Sequence, residues 1–431
     1  MLKDYLSQLY ERKKDPIRVG LVGCGQMGRG IISQSFTLPW VKISAICDHK
    51  IERAKDTLNH SGYDYGRLIE VGDIKEGEKA LKEGSTILTT DTNLLCSFPS
   101  LEVIIDATGT PEGGALTASQ AIKAGKHIVL LTVETDSLVG RVLRKKAEEK
   151  GIVYSLAAGD EPAATKELYD FAVSLGFRVI AAGKGKNNPF NPYATPMMLI
   201  GEARRKRMNP RMLCSFVDGT KTAVEMTSLS NATGLLPDKR GMHGVKASVE
   251  DIPQIFSLKK DGGILENEGI VDYVFGLAPG VFVVYETKDK ESQAILAYLK
   301  IGEGPRYLLY RPYHLTSLEA FTSVYRAVLY KEPTLRPLYT PYSEVIACAK
   351  SDLKVGEIID GIGGETVYGV IEQFKVSRGE HLVPLGLLKG AEVVRAIKKD
   401  TAITYADVVL KEGFLLSLYR EQEELAGEVG N

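Results

Sequence analysis

The chain of 431 residues has no surplus of either charge, with 54 Lys and Arg against 55 Asp and Glu. A protein built mainly to coat nucleic acid or an anionic membrane needs a strong basic excess, so both classes are excluded. Long apolar runs are missing as well, and nothing approaches the ~18 uncharged apolar residues of a bilayer span. The opening MLKDYLSQLYERKKD carries charges throughout and lacks the apolar centre of an export signal. Leu2, Tyr5, Leu6 and Leu9 fall instead at helical spacing, which predicts a short amphipathic helix. Cysteine is sparse: Cys24, Cys47, Cys96, Cys214 and Cys348 are odd in number, far apart and include no CxxC. Neither a disulfide framework nor a zinc knuckle is supported, and a reducing cytoplasm is the simplest setting. No repeat or low-complexity tract occurs. What remains is an ordinary globular composition, 44% apolar and 25% charged. At roughly 100–200 residues per domain, the length suffices for two or three domains around a cleft.

From Ile17 to Lys186, strand-like runs (IRVGLVG, VKISAICD, LEVIIDATG, KHIVLLTV, IVYSLAAG, RVIAAG) alternate with helix-like segments, the pattern of a doubly wound parallel sheet. Residues 187–340 mix Gly/Pro/Asn-rich turns with short strands and a helix-like run from Ser317 to Tyr330, which predicts an α+β substrate domain. The segment LRPLYTPY, with Pro333, Pro337 and Pro341 in and around it, reads as a linker. Residues 341–411 read as a small β-rich module, and 412–431 as a helical, solvent-facing tail.

Gly23-Cys24-Gly25-Gln26-Met27-Gly28 is a GxGxxG directly after an apolar strand and opening a helix. Asp48, at the end of the next strand, follows Gly28 by 20 residues, the distance expected of the acid that binds an adenosine ribose. The glycines let the backbone approach a pyrophosphate at a helix N-terminus, where free N–H groups favour negative charge. The first 186 residues are therefore expected to be a Rossmann dinucleotide-binding domain. The Asp48 carboxylate would accept ribose hydroxyls and repel a 2′-phosphate, which favours NAD over NADP; His49, Lys50 and Arg53 nearby soften that rule. Gln26 and Met27 are expected to add backbone donors and packing. Thr108 with Gly109, and Thr132 with Glu134, follow two later strands and are expected to border the nicotinamide.

Two polar clusters come next, Gly159-Asp160-Glu161-Pro162 and Gly183-Lys184-Gly185-Lys186-Asn187-Asn188-Pro189. A lysine in a closed site can stabilise an alkoxide or donate its proton once burial lowers its pKa. The flanking glycines suggest close backbone approach to a ligand. Asp160 and Glu161 are expected to orient a lysine or to hold a divalent metal, with helix capping an open alternative for Glu161. A third cluster contains Glu225, Asn231 and Asp238, and His243 between two glycines is a candidate acid/base or ligand group. Arg311-Pro312-Tyr313-His314 forms a weaker fourth set, open to a plain ion pair. Arg204–Arg207, basic but with no interleaved aromatics, reads as a solvated helix face.

The motifs GCGQMG (Gly23–Gly28), VIIDATGTPEG (Val103–Gly113), SLAAGDEP (Ser155–Pro162), AGKGKNNP (Ala182–Pro189), NATGLLPD (Asn231–Asp238), GMHG (Gly241–Gly244) and RPYHLTSLE (Arg311–Glu319) span most of the chain. With them the chain resembles the homoserine-dehydrogenase-like oxidoreductases that carry a C-terminal SAF domain, a family that includes deoxyxylulose-phosphate reductoisomerase-like enzymes. The resemblance implies a Rossmann sheet, an α+β substrate domain and an SAF β-clip module. It also implies a nicotinamide-dependent enzyme acting on CH–OH groups of a small polar substrate, either a phosphorylated sugar-like compound or a homoserine-like one. In that reading Lys184 or Lys186 stabilises the substrate oxygen, with Asp160, Glu161 and His243 completing the catalytic set. Asn187, Asn188, Glu225, Asn231, Asp238 and Arg311 bind the substrate. The alternative is an NAD sensor without turnover, its SAF module a partner surface. A homo-oligomer is the default assembly, with no nucleic acid or membrane partner.

Overall fold

Apolar runs between Ile17 and Leu156 form seven strands of one sheet in the computed structural model, which describes residues 2–61 and 66–429. The strands are β1 (Ile17–Val22), β2 (Val41–Cys47), β3 (Leu68–Glu70), β4 (Thr86–Thr89), β5 (Val103–Asp106), β6 (His127–Leu130) and β7 (Tyr154–Leu156). Their order is β3-β4-β2-β1-β5-β6-β7, and every pairing is parallel. Strands β4, β5 and β6 are buried along their whole length, as parallel strands covered on both faces require. β3 and β4 went unread in the sequence because their apolar pairs, Leu68-Ile69 and Ile87-Leu88, lie between polar or charged neighbours. Strand β1 lies between β2 and β5, so the order reverses there, and the loops after β1 and β5 flank the crevice where such sheets bind ligands.

This sheet belongs to a unit made of Met1–Asp160 and Leu315–Arg336. The returning segment supplies the helix Thr316–Tyr325, followed by a wider turn at Arg326–Tyr330. Ala320, Phe321, Val324 and Tyr325 join the core that contains Ile31 and Ile32. A Cβ at Gly30 would lie 2.3 Å from Ser317 Oγ, so the glycine permits the helix Gln26–Ser35 to pack closely on the returning one. The N-terminal helix Leu2–Lys13 docks through Leu6 and Leu9 on the same core. The chain leaves the unit within the proline-bearing stretch, at Arg336/Pro337.

The second unit comprises Glu161–His314 and Pro337–Asn431. Its main sheet contains β8 (Arg178–Lys186), β9 (Leu236–Pro237), β10 (Val245–Lys246), β11 (Ile270–Phe275), β12 (Val281–Glu286) and β13 (Arg306–Arg311). The order is β10-β11-β8-β12-β13, with β9 also on β11. Strand β8 runs parallel to β11 and antiparallel to β12. RVIAAG, expected to close the first sheet, is therefore the middle of the second one. An apolar run reveals that it is buried but not which strands cover its edges. The expected boundary at 186 falls after β8, whereas the change of unit falls between Asp160 and Glu161.

Residues 341–411 contain the antiparallel pair β14 (Ser343–Ala349) and β15 (Val367–Gln373), then the short pair β16 (Glu392–Val393) and β17 (Val408–Val409). The β14–β15 pair packs on the helix Thr220–Thr233, where Gly369 N–H donates to Thr220 Oγ1 at 2.8 Å. Just after β14, the Lys350 ammonium donates to the carbonyls of Ala194 and Gly364, both at 2.7 Å, and to Asp218 Oδ2 at 2.8 Å. The last helix, Phe414–Val429, is not the solvent-facing tail expected: Leu415, Leu416, Leu418 and Tyr419 are buried, and Tyr419 Oη donates to Glu344 Oε1 at 2.7 Å. None of the described helices is long and apolar enough to cross a membrane.

Candidate functional site

In the first unit the glycine motif divides by cause. Gly23 has φ +101°, and a Cβ there would lie 2.5 Å from the Ala107 carbonyl oxygen; a Cβ at Gly28 would lie 2.0 Å from the Gly23 oxygen. Both glycines are required by the chain's own turn. Gly25 is different, with nothing within 4 Å of its Cβ position. It caps the helix Gln26–Ser35, whose N-terminus has no side-chain cap and no acid in its first turn. Open space above unsatisfied N–H groups is what a bound pyrophosphate needs, so these residues fit a dinucleotide. Gln26 opens the helix, and Met27 packs on the core.

Asp48 is buried at the end of β2. Its Oδ2 accepts the Cys24 N–H and its Oδ1 the Lys50 N–H, both at 2.8 Å, while His49 Nδ1 lies 3.2 Å from Oδ1. It thus ties the glycine loop to β2, and Oδ2 keeps a second lone pair for a ribose hydroxyl. After β5, Gly109 N–H donates to Thr132 Oγ1 at 3.0 Å and Thr108 Oγ1 to Asp106 Oδ1 at 2.9 Å. Burial pushes the fully enclosed Asp106 carboxyl up to about 6, against the hydroxyls that favour its anion. Thr132 and Glu134 are both buried, near the start of the helix Val133–Glu149, so they shape this loop from beneath.

In the second unit, strand register sorts the candidates. Lys184 is in register with Tyr273 and Val281, and Val281 with Arg311, so these side chains share one face of the sheet with Lys186. That face receives the helices Glu161–Ser174 and Thr220–Thr233. Lys184 Nζ donates to Glu161 Oε1 at 2.5 Å and also to Glu225 Oε2, with all three side chains at or below 10% exposure. His314 Nε2 lies 3.5 Å from the same Glu161 oxygen. Burial opposes the Lys184 charge, but the two carboxylates outweigh it and hold its pKa above the ordinary lysine value. Burial, with Glu161 beside it, pushes Glu225 up despite Lys184 and Lys221. Lys186 Nζ donates to the Phe216 carbonyl at 2.7 Å and sits 6.0 Å from the centroid of the Phe190 ring. Burial and then the Lys184 charge pull it down to about 8, with Glu225 and Asp218 opposing.

Other expectations meet different surroundings. The glycines between the lysines do mark close backbone approach, but to the protein itself: a Cβ at Gly183 would meet the Asp272 oxygen at 1.7 Å and one at Gly185 the Ala278 nitrogen at 2.4 Å. His243 is separate from the lysines. Its N–H donates to Asp272, in register with Gly183 and so on the opposite face, and its Nε2 lies 2.9 Å from Asp238 Oδ2. Asp238 also accepts from the Glu266 and Asn267 amides, which hold its pKa below the usual carboxylate range despite partial burial. Asn231 spends its carbonyl on the Tyr342 and Ser343 N–H groups and donates to the Ser343 oxygen at 3.0 Å, fastening the helix Thr220–Thr233 to β14. The Arg311 guanidinium pairs with Glu167 at 3.0 Å and lies over Tyr313. Asn187 is exposed and Asn188 half-buried, just beyond β8. Asp160 is buried immediately before Glu161. Lys221 was missed in the sequence and His314 underweighted. The Lys221/Glu225 spacing of four on a helix was the available signal for the first. As for a metal, Glu161 and His314 offer one donor each, but the carboxylate is already neutralised by Lys184, so no chemistry is assigned to a metal here.

Residues 159–320 match the family model described as the catalytic domain of oxidoreductase DRL. No curated protein matches the chain. Among solved structures, the chain is similar to a probable dehydrogenase from Thermotoga maritima, at 14% identity over 73% of this chain and 90% of that one, with TM-score 0.40. It is also similar to a levoglucosan dehydrogenase in complex with NADH, at 18% identity over 42% and 46%, TM-score 0.28. A dehydrogenase from Chromobacterium violaceum matches at 17% identity over 42% and 47%, TM-score 0.29. The family match covers the segment that carries Glu161, Lys184, Lys186, Glu225 and His314, and it is to an oxidoreductase catalytic domain.

Proposed function

We propose that this protein is a nicotinamide-dependent oxidoreductase that moves hydride between NAD and a small polar carbonyl or hydroxyl compound. The observation that carries the reading is the pair Lys184 and Lys186, on one buried sheet face inside the segment that resembles an oxidoreductase catalytic domain. Gly25 and the uncapped helix behind it support the dinucleotide, and Asp48 supports NAD over NADP. When bound, the nicotinamide supplies the hydride acceptor or donor. The chain's own task is to hold the substrate oxygen beside a cationic lysine, which stabilises negative charge as the carbonyl is reduced. Asn187 and Asn188, just past β8, are suitably polar to contact substrate hydroxyls. Asn231 and Asp238, with their polar atoms committed to the protein, leave the proposed substrate set; the imidazole of His243 is held by Asp238 and leaves the catalytic one.

The finer reading is a substrate of the sugar-phosphate or homoserine-like kind, with residues 341–411 an SAF-like module in a cytoplasmic homo-oligomer. The deciding experiment is NADH oxidation with a panel of 2-ketoses, aldehydes and their phosphates. Turnover of at least one compound is expected. NADH binding with no turnover across the panel refutes the oxidoreductase reading and favours a sensor.

A further inference from the structure

The two lysines are not equivalent. Lys184 is held by two carboxylates on two different helices, so its ammonium is neutralised and two of its three protons are committed. Lys186, two residues on and roughly 7 Å along the same face, has one carbonyl partner, that of Phe216. An ammonium has three N–H donors, and no second acceptor holds Lys186 among the described residues. The groups that face it are Lys184 on its own strand, Glu225 on the helix Thr220–Thr233, and Asp218 in the turn before that helix. Asp218 is in turn bound to Lys350, and burial, then the adjacent Lys184 charge, outweighs what Glu225 and Asp218 restore at Lys186. The Phe190 ring covers another side.

Building on the oxidoreductase reading above, we propose that Lys186 is the residue that exchanges the proton with the substrate oxygen, while Lys184 is a positioning residue that tunes it. In the oxidative direction the neutral Lys186 amine takes the hydroxyl proton as the carbinol C–H pair leaves as hydride to NAD. The products are a carbonyl, NADH and the Lys186 ammonium. In the reductive direction the ammonium returns that proton to the oxygen as hydride arrives. A group held at about 8 can serve both directions near neutral pH. The sign follows directly: oxidation rises as pH rises through about 8, and reduction falls over the same interval.

Two measurements test this. The first needs no substrate: acetic anhydride labels neutral amines, and peptide mass spectrometry after labelling from pH 6 to 11 reads each lysine separately. Lys186 is expected to reach half-maximal labelling near pH 8 and Lys184 to stay unlabelled. A Lys186 midpoint above 10, or a Lys184 midpoint near 8, overturns the assignment. The second uses the panel compound with the highest NADH turnover. Lys186→Gln is expected to lower kcat by about 10²–10⁴ with NADH affinity unchanged. Lys186→Arg, still cationic but unable to give up its proton, is expected to keep KM, lose kcat and abolish the transition near pH 8. Lys184→Gln, which removes the neighbouring charge, is expected to move the transition to higher pH, and an unmoved transition overturns the tuning role. Wild-type kcat in Lys186→Gln overturns the proposal and leaves the oxidoreductase reading intact, whereas an inactive wild type with normal Lys186 labelling overturns that reading and the catalytic role with it.

Discussion

Replacing Lys350 by methionine tests how the β14–β15 module is fastened within the second unit. The lysine side chain is 3% exposed and Asp218 is fully enclosed, so water cannot replace what the substitution removes. Lys350→Met leaves the Asp218 carboxylate with the Thr220 N–H on Oδ1 but no cation, and deprives the Ala194 and Gly364 carbonyls of a donor. Breaking one side of a buried ion pair costs about 3–5 kcal/mol. For a unit of this size that corresponds to a fall in Tm of roughly 6–20 °C. Scanning calorimetry and urea unfolding would measure it. The double variant Lys350→Met/Asp218→Asn, which leaves no unpaired charge, should recover at least about 1 kcal/mol relative to the sum of the singles. Raising the salt concentration should not change the loss, because a pair shielded from solvent is poorly screened. A loss below about 1 kcal/mol, or strict additivity in the double variant, would refute the view that this pair fastens the module.

Three further outcomes are expected. Gly25→Ala should fold like the wild type and weaken NADH binding in a fluorescence titration, whereas Gly28→Ala should lose about 1–3 kcal/mol of stability because its Cβ meets the Gly23 oxygen; equal effects from both would contradict the division of the motif. Asp48→Ala should lower the NAD/NADP affinity ratio and also loosen the loop, since the Cys24 and Lys50 amides lose their acceptor; an unchanged ratio in equilibrium dialysis would remove Asp48 from cofactor choice. His243→Gln should cost about 1 kcal/mol of stability through its Asp238 contact while keeping turnover per folded molecule, and a selective collapse of kcat would return His243 to the catalytic set.

Much of the first unit was legible because its signals are local. GxGxxG, the strand before it and the acid after the next strand all lie within 32 residues, from Ile17 to Asp48. The second unit was harder because its sites are made by pairing across the chain. Lys184 and Lys186 stood out by composition, but that one is clamped and the other nearly free depends on Glu161 and Glu225, far away in sequence. Glycines flanking the lysines looked like ligand clearance, yet the space is filled by Asp272 and Ala278 of neighbouring segments. Asn231, Asp238 and His243 have the chemistry of a site and are spent on backbone and one another. Residue type alone does not distinguish a polar group aimed at a ligand from one satisfying a buried amide.

The return of residues 315–336 to the first unit also governs the order in which the protein can assemble during synthesis. Ala320, Phe321, Val324 and Tyr325 leave the ribosome after every strand of both main sheets, yet they belong to the core beneath the glycine loop. The first unit therefore cannot close over its own interior until the whole of segment 161–314 has been made. A fragment ending at 186 would expose that apolar surface and carry β8 without its partners, so cutting the chain at the boundary its motifs suggest is expected to yield an aggregating product.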